Sequence, residues 1–359
     1  MLGTARVTVG IVVFCAIALV GSIGEAGGGG AGKPGDLVII TNWGADSCSL
    51  VDASQGKELA KIDVGLKPYD IKVDPTGRYA YLTCSGANYL SIIDLQAMLE
   101  LKDQRIRVGE SPRDIAITRD GKRAVVANSG SDSISVVDLE KRETIYSFEV
   151  GSIPYGVALF NNGSSALVTN WGSNRAVLVH LGELSGKIVK SFEVGSLPYT
   201  VVVTDDSNYA MISCFGSHKI YVIDLKEGKS LAPIDVGRSP WGLALSRDGK
   251  SALVANFYSA DASILRVSRR TTAKDNSSEV PIAEIARIPI RSSDPVGATA
   301  TIPRRIKNVA FLGRPNIAVL SDLGRNEVLV LDITKKEVLR SIAVGKAPYG
   351  IAAVPRHDR

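Results

Sequence analysis

Apolar runs of five or six residues recur along this chain, each closed by a tight turn. Examples are Gly156-Val157-Ala158-Leu159-Phe160 and Ala166-Leu167-Val168-Thr169-Asn170. β-Branched residues dominate these runs, and no segment holds an apolar period of 3.6, so they read as strands and exclude a helical solenoid. Between runs stand Arg119-Asp120-Gly121-Lys122 and Arg247-Asp248-Gly249-Lys250. Asp-Gly there is a hairpin signal, because glycine tolerates positive φ. A third run ends in Val/Ile-Asp-Leu, as at Ile93-Asp94-Leu95 and Val137-Asp138-Leu139. A fourth, such as Thr144 to Val150, leads into the next copy.

The copies are marked by Val-Gly-x-x-Pro, usually followed by an aromatic residue. Its glycines are Gly65, Gly109, Gly151, Gly195, Gly237 and Gly345. The first five are spaced by 44, 42, 44 and 42 residues, and Gly237 to Gly345 spans 108, which is room for two copies of 54. A hidden copy is therefore expected there, with Ile306-Lys307-Asn308-Val309-Ala310-Phe311 as its first strand and Pro303 as the remnant of its turn. Four short strands at this period predict propeller blades. The pattern begins mid-repeat at Leu37 and stops mid-repeat after Val354. The two ends thus combine into one blade and close the ring. The expectation is an all-β, seven-bladed β-propeller over residues 37–359.

At 359 residues the chain exceeds a typical layered domain, which a propeller accommodates. Hydrophobic residues make up 45%, excluding disorder of the whole chain, and a net charge of +5 is too mild to argue for nucleic acid. Arg6 followed by the largely apolar run Val7 to Val20 and small residues around Gly24-Glu25-Ala26 predicts an export signal over residues 1–26. A retained membrane anchor is the rival reading, although the run is shorter than the roughly 17–25 residues of a span. Residues 27–36 have the glycine-rich composition of a linker. Gly30-Ala31-Gly32-Lys33 lacks the spacing and Ser/Thr of a phosphate-binding loop. The expected location is therefore the periplasm, the cell surface or the medium.

Of four cysteines, Cys15 falls in the signal, and Cys48, Cys84 and Cys214 remain. No CxxC or CxxCH occurs, which argues against zinc ribbons and attached c-type haem. Cys48 and Cys84 could pair as neighbours, or all three could be buried thiols.

The Val-Gly-x-x-Pro-Tyr turns and the second-strand endings Leu167-Val168-Thr169-Asn170, Val125-Val126-Ala127-Asn128, Leu253-Val254-Ala255-Asn256 and Ile39-Ile40-Thr41-Asn42 resemble the YVTN-type β-propeller repeat family. The resemblance runs from residue 37 to about 355 and implies an exported seven-bladed propeller. It does not imply one activity, since fold does not set function. The large subunit of periplasmic amine dehydrogenases is similar in architecture, and lactonases share seven blades.

Antiparallel alternation puts the proline turns and the second-strand ends on one face of the ring and the Asp-Gly hairpins on the other. The residues after the prolines are Tyr69, Arg113, Tyr155, Tyr199, Trp241 and Tyr349, with Arg304 assigned to the degraded copy. Trp43, Trp171, Phe215, Phe257 and Tyr258 follow the second strands, and Lys67, Arg238 and Lys346 lie in the turns. Aromatic rings with basic neighbours around a channel mouth suit an anionic or planar ligand, or a partner protein. Packing between blades explains the repeated tyrosines equally simply. The deviants Arg113, Arg304, Cys84, Cys214 and Asp322 therefore carry more functional information than the repeated residues.

Only three histidines occur, His180, His218 and His357, without HxH or HExxH, and there is no Gly-x-Ser-x-Gly elbow. No catalytic residue, metal site or cofactor is expected. The leading expectation is a non-enzymatic binding or scaffold propeller using the proline-turn face. The alternatives are a propeller subunit of a periplasmic amine-type dehydrogenase and a metal-dependent hydrolase or lactonase. A membrane contact is expected only if the N-terminal segment is retained.

Overall fold

A computed structural model describes residues 36–268, 281–290 and 303–355. The expected export signal and linker and His357 lie outside the described residues. Among the described residues no helix is long and apolar enough to cross a membrane.

Seven antiparallel sheets form a seven-bladed β-propeller, each with an inner strand, two central strands and an outer edge. Blade 1 starts at Pro68–Val73, blade 2 at Pro112–Ile117, blade 3 at Pro154–Phe160 and blade 4 at Pro198–Val203. Blade 5 starts at Pro240–Leu245, and blade 6 at Ile306–Phe311, the hidden copy. The closing blade takes its inner strand, Pro348–Ala353, from the C-terminal end and Leu37–Asn42, Ser47–Asp52 and Lys57–Asp63 from the N-terminal end. The two ends are joined in register by Val38 opposite Ala353 and Ile40 opposite Ile351.

The central strands are almost wholly buried, whereas in outer strands such as Lys57–Asp63 exposed residues alternate with half-buried ones and a single buried one, Ile62. That contrast follows from blades stacking face to face, which covers both faces of the middle strands. The apolar core is accordingly divided into clusters shared by neighbouring blades. One joins Ile39 and Leu50 of the closing blade to Ile71, Leu82 and Ile93 of blade 1.

The glycine of Val-Gly-x-x-Pro is required by close approach. A Cβ on Gly345 would stand 2.4 Å from Asn42 Cγ, and one on Gly65 would stand 2.7 Å from Cys84 Sγ. The repeated Asn, or its Cys replacement, therefore packs directly on the turn of its own blade. Cys48, Cys84 and Cys214 are buried free thiols. Burial pushes the Cys84 thiol up to about 11 and the Cys214 thiol to about 12.

Candidate functional site

In all seven blades the inner strand is irregular over its first turn, blade 2 shifting between Pro112 and Ile115 and the closing blade between Pro348 and Ile351. Pairing shifts between Pro68 and Ile71, Pro154 and Val157, Pro198 and Val201, Pro240 and Leu243, and Ile306 and Val309. Such a bulge re-aims a side chain. The residue following the first position of each inner strand converges with its counterparts at the proline-turn end of the axis. The seven residues so placed are Tyr69, Arg113, Tyr155, Tyr199, Trp241, Lys307 and Tyr349.

Blade 6 corrects one expectation. Ile306, opposite Asp322, occupies the proline position, as Pro240 does opposite Asn256. Lys307 is therefore the axis residue, not Arg304. The degraded turn misled the alignment, whereas the apolar pattern Ile306, Val309 matches Pro240, Leu243 and would have found Lys307. Arg304 is buried in blade 6, where its guanidinium contacts Asp322 Oδ2 at 2.8 Å and Glu327 Oε1 at 2.5 Å. It ties a turn together and points no charge at the mouth.

The axis residues are held by a relay of hydroxyls. Thr41 Oγ1 donates to the Tyr69 carbonyl at 2.8 Å, and Thr83 to that of Arg113 at 2.6 Å. Thr169 serves Tyr199 at 2.7 Å, Ser213 serves Trp241 at 2.5 Å and Ser321 serves Tyr349 at 2.9 Å. Each hydroxyl lies one residue before the end of a second strand and reaches the next blade. Ala127 and Ala255 occupy the equivalent places before Tyr155 and Lys307, so those two residues lack this clamp. The preceding turns are gripped as well: Asp46 Oδ1 accepts from Lys67 N, Asp132 Oδ1 from Ile153 N, and His218 Nδ1 from Ser239 N.

The rings fill the mouth rather than line an opening. Centroid distances are 4.2 Å for Tyr69–Tyr349, 4.4 Å for Tyr155–Tyr199, 4.0 Å for Tyr199–Trp241 and 6.0 Å for Trp241–Tyr349. The Tyr69 and Tyr155 hydroxyls also meet. Burial raises the Tyr155 and Tyr199 phenols above their ordinary value. Around this plug, Phe215 and Phe257 each stand 5.4 Å from Trp241, and Trp43 stands 6.4 Å from Tyr349. Trp171 lies beside Tyr199. Trp43 and Tyr258 are exposed on the rim, and Lys67 lies 5.8 Å from the Trp43 ring. Among the described residues, no close ring contact ties Arg238 or Lys346 to the plug.

Two cations are set into the plug. The Arg113 guanidinium lies 4.6 Å from the Tyr69 centroid and 5.5 Å from that of Tyr155, with Nε donating to Ser129 Oγ at 2.9 Å. Lys307 Nζ lies 2.9 Å from the Tyr349 centroid and 3.7 Å from that of Trp241. Neither forms an ion pair with a described carboxylate. Burial depresses both, and Arg113 depresses Lys307 further.

Below the plug lies a cavity of about 550 Å³, bounded by Tyr69, Trp241 and Tyr349 above and by Leu245, Arg247 and Val354 toward the Asp-Gly face. Its polar element is an ion-paired trio: Lys72 Nζ is 2.5 Å from Asp70 Oδ2 and 3.4 Å from Asp114 Oδ1. Asp114 Oδ2 also accepts from Val157 N at 2.9 Å. Burial raises the Asp114 carboxyl well above its ordinary range, the more so beside Asp70, and Lys72 opposes this. Among the described residues, no group of three His, Cys, Asp or Glu could hold a metal ion.

A family model described as the cytochrome D1 heme domain matches residues 32–247 of this chain. The chain belongs to the cytochrome D1 heme domain family. No curated protein sequence matches it. Solved structures are similar in fold at low identity. A functionally unknown protein from Desulfotomaculum acetoxidans has a TM-score of 0.75 at 16% identity, covering 90% of this chain and 100% of that one. Hydrazine synthase of Kuenenia stuttgartiensis scores 0.64 at 17%, covering 80% and 90%. The dihydro-heme d1 dehydrogenase NirN in complex with DHE scores 0.59 at 16%, covering 89% and 75%.

Membership of the cytochrome D1 heme domain family overturns the expectation that no cofactor is involved. That expectation rested on missing CxxCH and His-pair motifs, which report covalent attachment and histidine ligation but not a tetrapyrrole held by its edge and faces. The residues present fit such a group in part. Arg113 and Lys307 offer cations without carboxylate partners, and the rim rings offer stacking faces. Tyr69, Tyr155, Tyr199 and Tyr349 are the metal-ligating residue types among the seven axis residues. His180 and His218 lie on a third strand and in a hairpin turn, off the axis.

Proposed function

We propose that this chain is an exported, non-enzymatic propeller that binds a planar tetrapyrrole bearing carboxylates at its proline-turn mouth. The observation that carries the reading is the pair Arg113 and Lys307, set among five aromatic rings at the axis with no carboxylate to neutralise them. A buried cation without a counterion is costly, and an anionic guest removes that cost. Arg113 binds carboxylate through its planar fork, Lys307 takes a second anionic oxygen, and Trp43, Phe257 and Tyr258 supply apolar faces. A bound heme d1-type group would bring its own redox chemistry, and these residues would orient its edge and shield it from water. The family match supports the ligand class, and the N-terminal apolar run supports export.

Titration of the protein with a metal-free dicarboxylate porphyrin, followed by visible absorption, tests this without depending on an axial ligand. Binding should weaken by about tenfold or more in Arg113→Ala and again in Lys307→Met, tenfold being about 1.4 kcal/mol. No spectral shift with the unaltered protein would remove the proposal. A second reading, a scaffold for a partner protein, is favoured by exposed Trp43, Leu66 and Tyr258 on the same face. Partner capture that survives both substitutions would favour it.

A further inference from the structure

Lys307 has surroundings that electrostatic binding does not exhaust. It is 3% exposed. Its Nζ lies among the rings of Tyr349, Trp241 and Tyr69, the last at 5.9 Å. Among the described residues it has no hydrogen-bond acceptor or carboxylate within reach. A second cation, Arg113, lies over the same Tyr69 ring and acts on Lys307 electrostatically. The remaining titratable groups facing it are the phenols of Tyr69 and Tyr349. Lys72 in the channel is the contrast, since two aspartates hold its proton. An amine desolvated among apolar rings and beside a like charge sheds its proton, which is how lysine becomes a nucleophile. Burial first, and Arg113 second, lower the Lys307 ammonium well below its ordinary value. Nζ is not among the sealed, unpartnered polar atoms, in contrast to Arg304 Nε. Three of the rings around it, Tyr69, Trp241 and Tyr349, also bound the 550 Å³ cavity.

We propose that Lys307 is a reactive amine that condenses with small aldehydes or 2-oxo acids, with Arg113 receiving the carboxylate. The Nζ lone pair attacks the carbonyl carbon and a C–N bond forms. The carbonyl oxygen then leaves as water with the two nitrogen-bound hydrogens, giving an imine with no change in oxidation state. The site shares the mouth with the tetrapyrrole proposal but does not require it: the empty site holds the neutral amine, and an anionic guest draws a proton back onto Nζ.

The test is incubation of the folded protein with glyoxylate and cyanoborohydride, which reduces the imine to a stable carboxymethyl-lysine, followed by peptide mass mapping. At pH 7 Lys307 should be modified at least about tenfold faster than exposed Lys57 and Lys61. Arg113→Ala should slow modification of Lys307 several-fold, and Lys307→Arg should abolish the fast site. Modification of Lys307 no faster than that of the exposed lysines would overturn the proposal. Should the variants fail to fold, the pH profile of the unaltered protein decides. A Lys307 rate that levels off well below pH 10.5, the ordinary lysine value, supports the reactive amine, and one still rising about tenfold per pH unit up to that value overturns it. Porphyrin titration of the same sample separates the two ideas: a labelled Lys307 with no porphyrin binding sinks only the tetrapyrrole reading, and the converse sinks only this one.

Discussion

Arg304 and Lys307 stand three residues apart, both almost sealed from water at 9% and 3% exposure, yet their surroundings are opposite. Arg304 meets two carboxylates, and Asp322 Oδ1 additionally accepts from the backbone of Arg305 and Gly324. Lys307 meets ring faces and the field of a second cation. A buried charge met by two carboxylates within its own blade is scaffold. A buried cationic group with no carboxylate partner at a seven-fold convergence is the feature on which the proposed binding site rests. Burial alone would have classed the two residues together.

The largest effect should come from breaking the compensated side. Asp322→Ala strands Arg304 with Glu327 alone and should cost about 3–5 kcal/mol of stability, read by urea unfolding. Retention of full stability would show that the ion cluster is incidental.

Next comes the uncompensated side. Lys307→Met removes a desolvated amine and should leave stability unchanged or raise it by about 1 kcal/mol, while porphyrin binding falls. Its pH signature is distinctive. A lysine whose folded pKa lies below its unfolded value binds protons less tightly when folded, so stability rises with pH between the two values. The unaltered protein should therefore gain stability relative to Lys307→Met as pH climbs toward 10.5, the ordinary lysine value. Subtracting the variant cancels the opposing cysteine and tyrosine contributions. A pH-independent difference would show that Lys307 is an ordinary ammonium.

The smallest expected effect on binding concerns the hydroxyl relay. Thr83→Val removes a donor to the Arg113 carbonyl and an acceptor for Asp70 N, and should cost about 1–2 kcal/mol. It should also loosen porphyrin binding modestly by freeing Arg113. A loss of stability without any change in binding would confine the relay to a structural role.

The period of Val-Gly-x-x-Pro, the Asp-Gly hairpins and the complementary ends made the fold readable, because a repeated blade writes its strand and turn chemistry several times over. The proline-turn face and most of its aromatic set were readable for the same reason. Arg304 was misread because a single degraded copy offers no second instance to correct it. The expectation of no cofactor failed because missing CxxCH and His-pair motifs report only covalent attachment and histidine ligation, whereas the family match spans residues 32–247.

Local sequence therefore determined what each blade is, since hydrophobic alternation, turn glycines and the Val-Gly close approach act within about forty residues. Only the closed ring decided which side chains share an axis and which charges lack a counterion. Seven residues drawn from Tyr69 to Tyr349 meet through inter-blade packing and bulges, and compensation depends on everything within a few ångströms, whatever its distance along the chain.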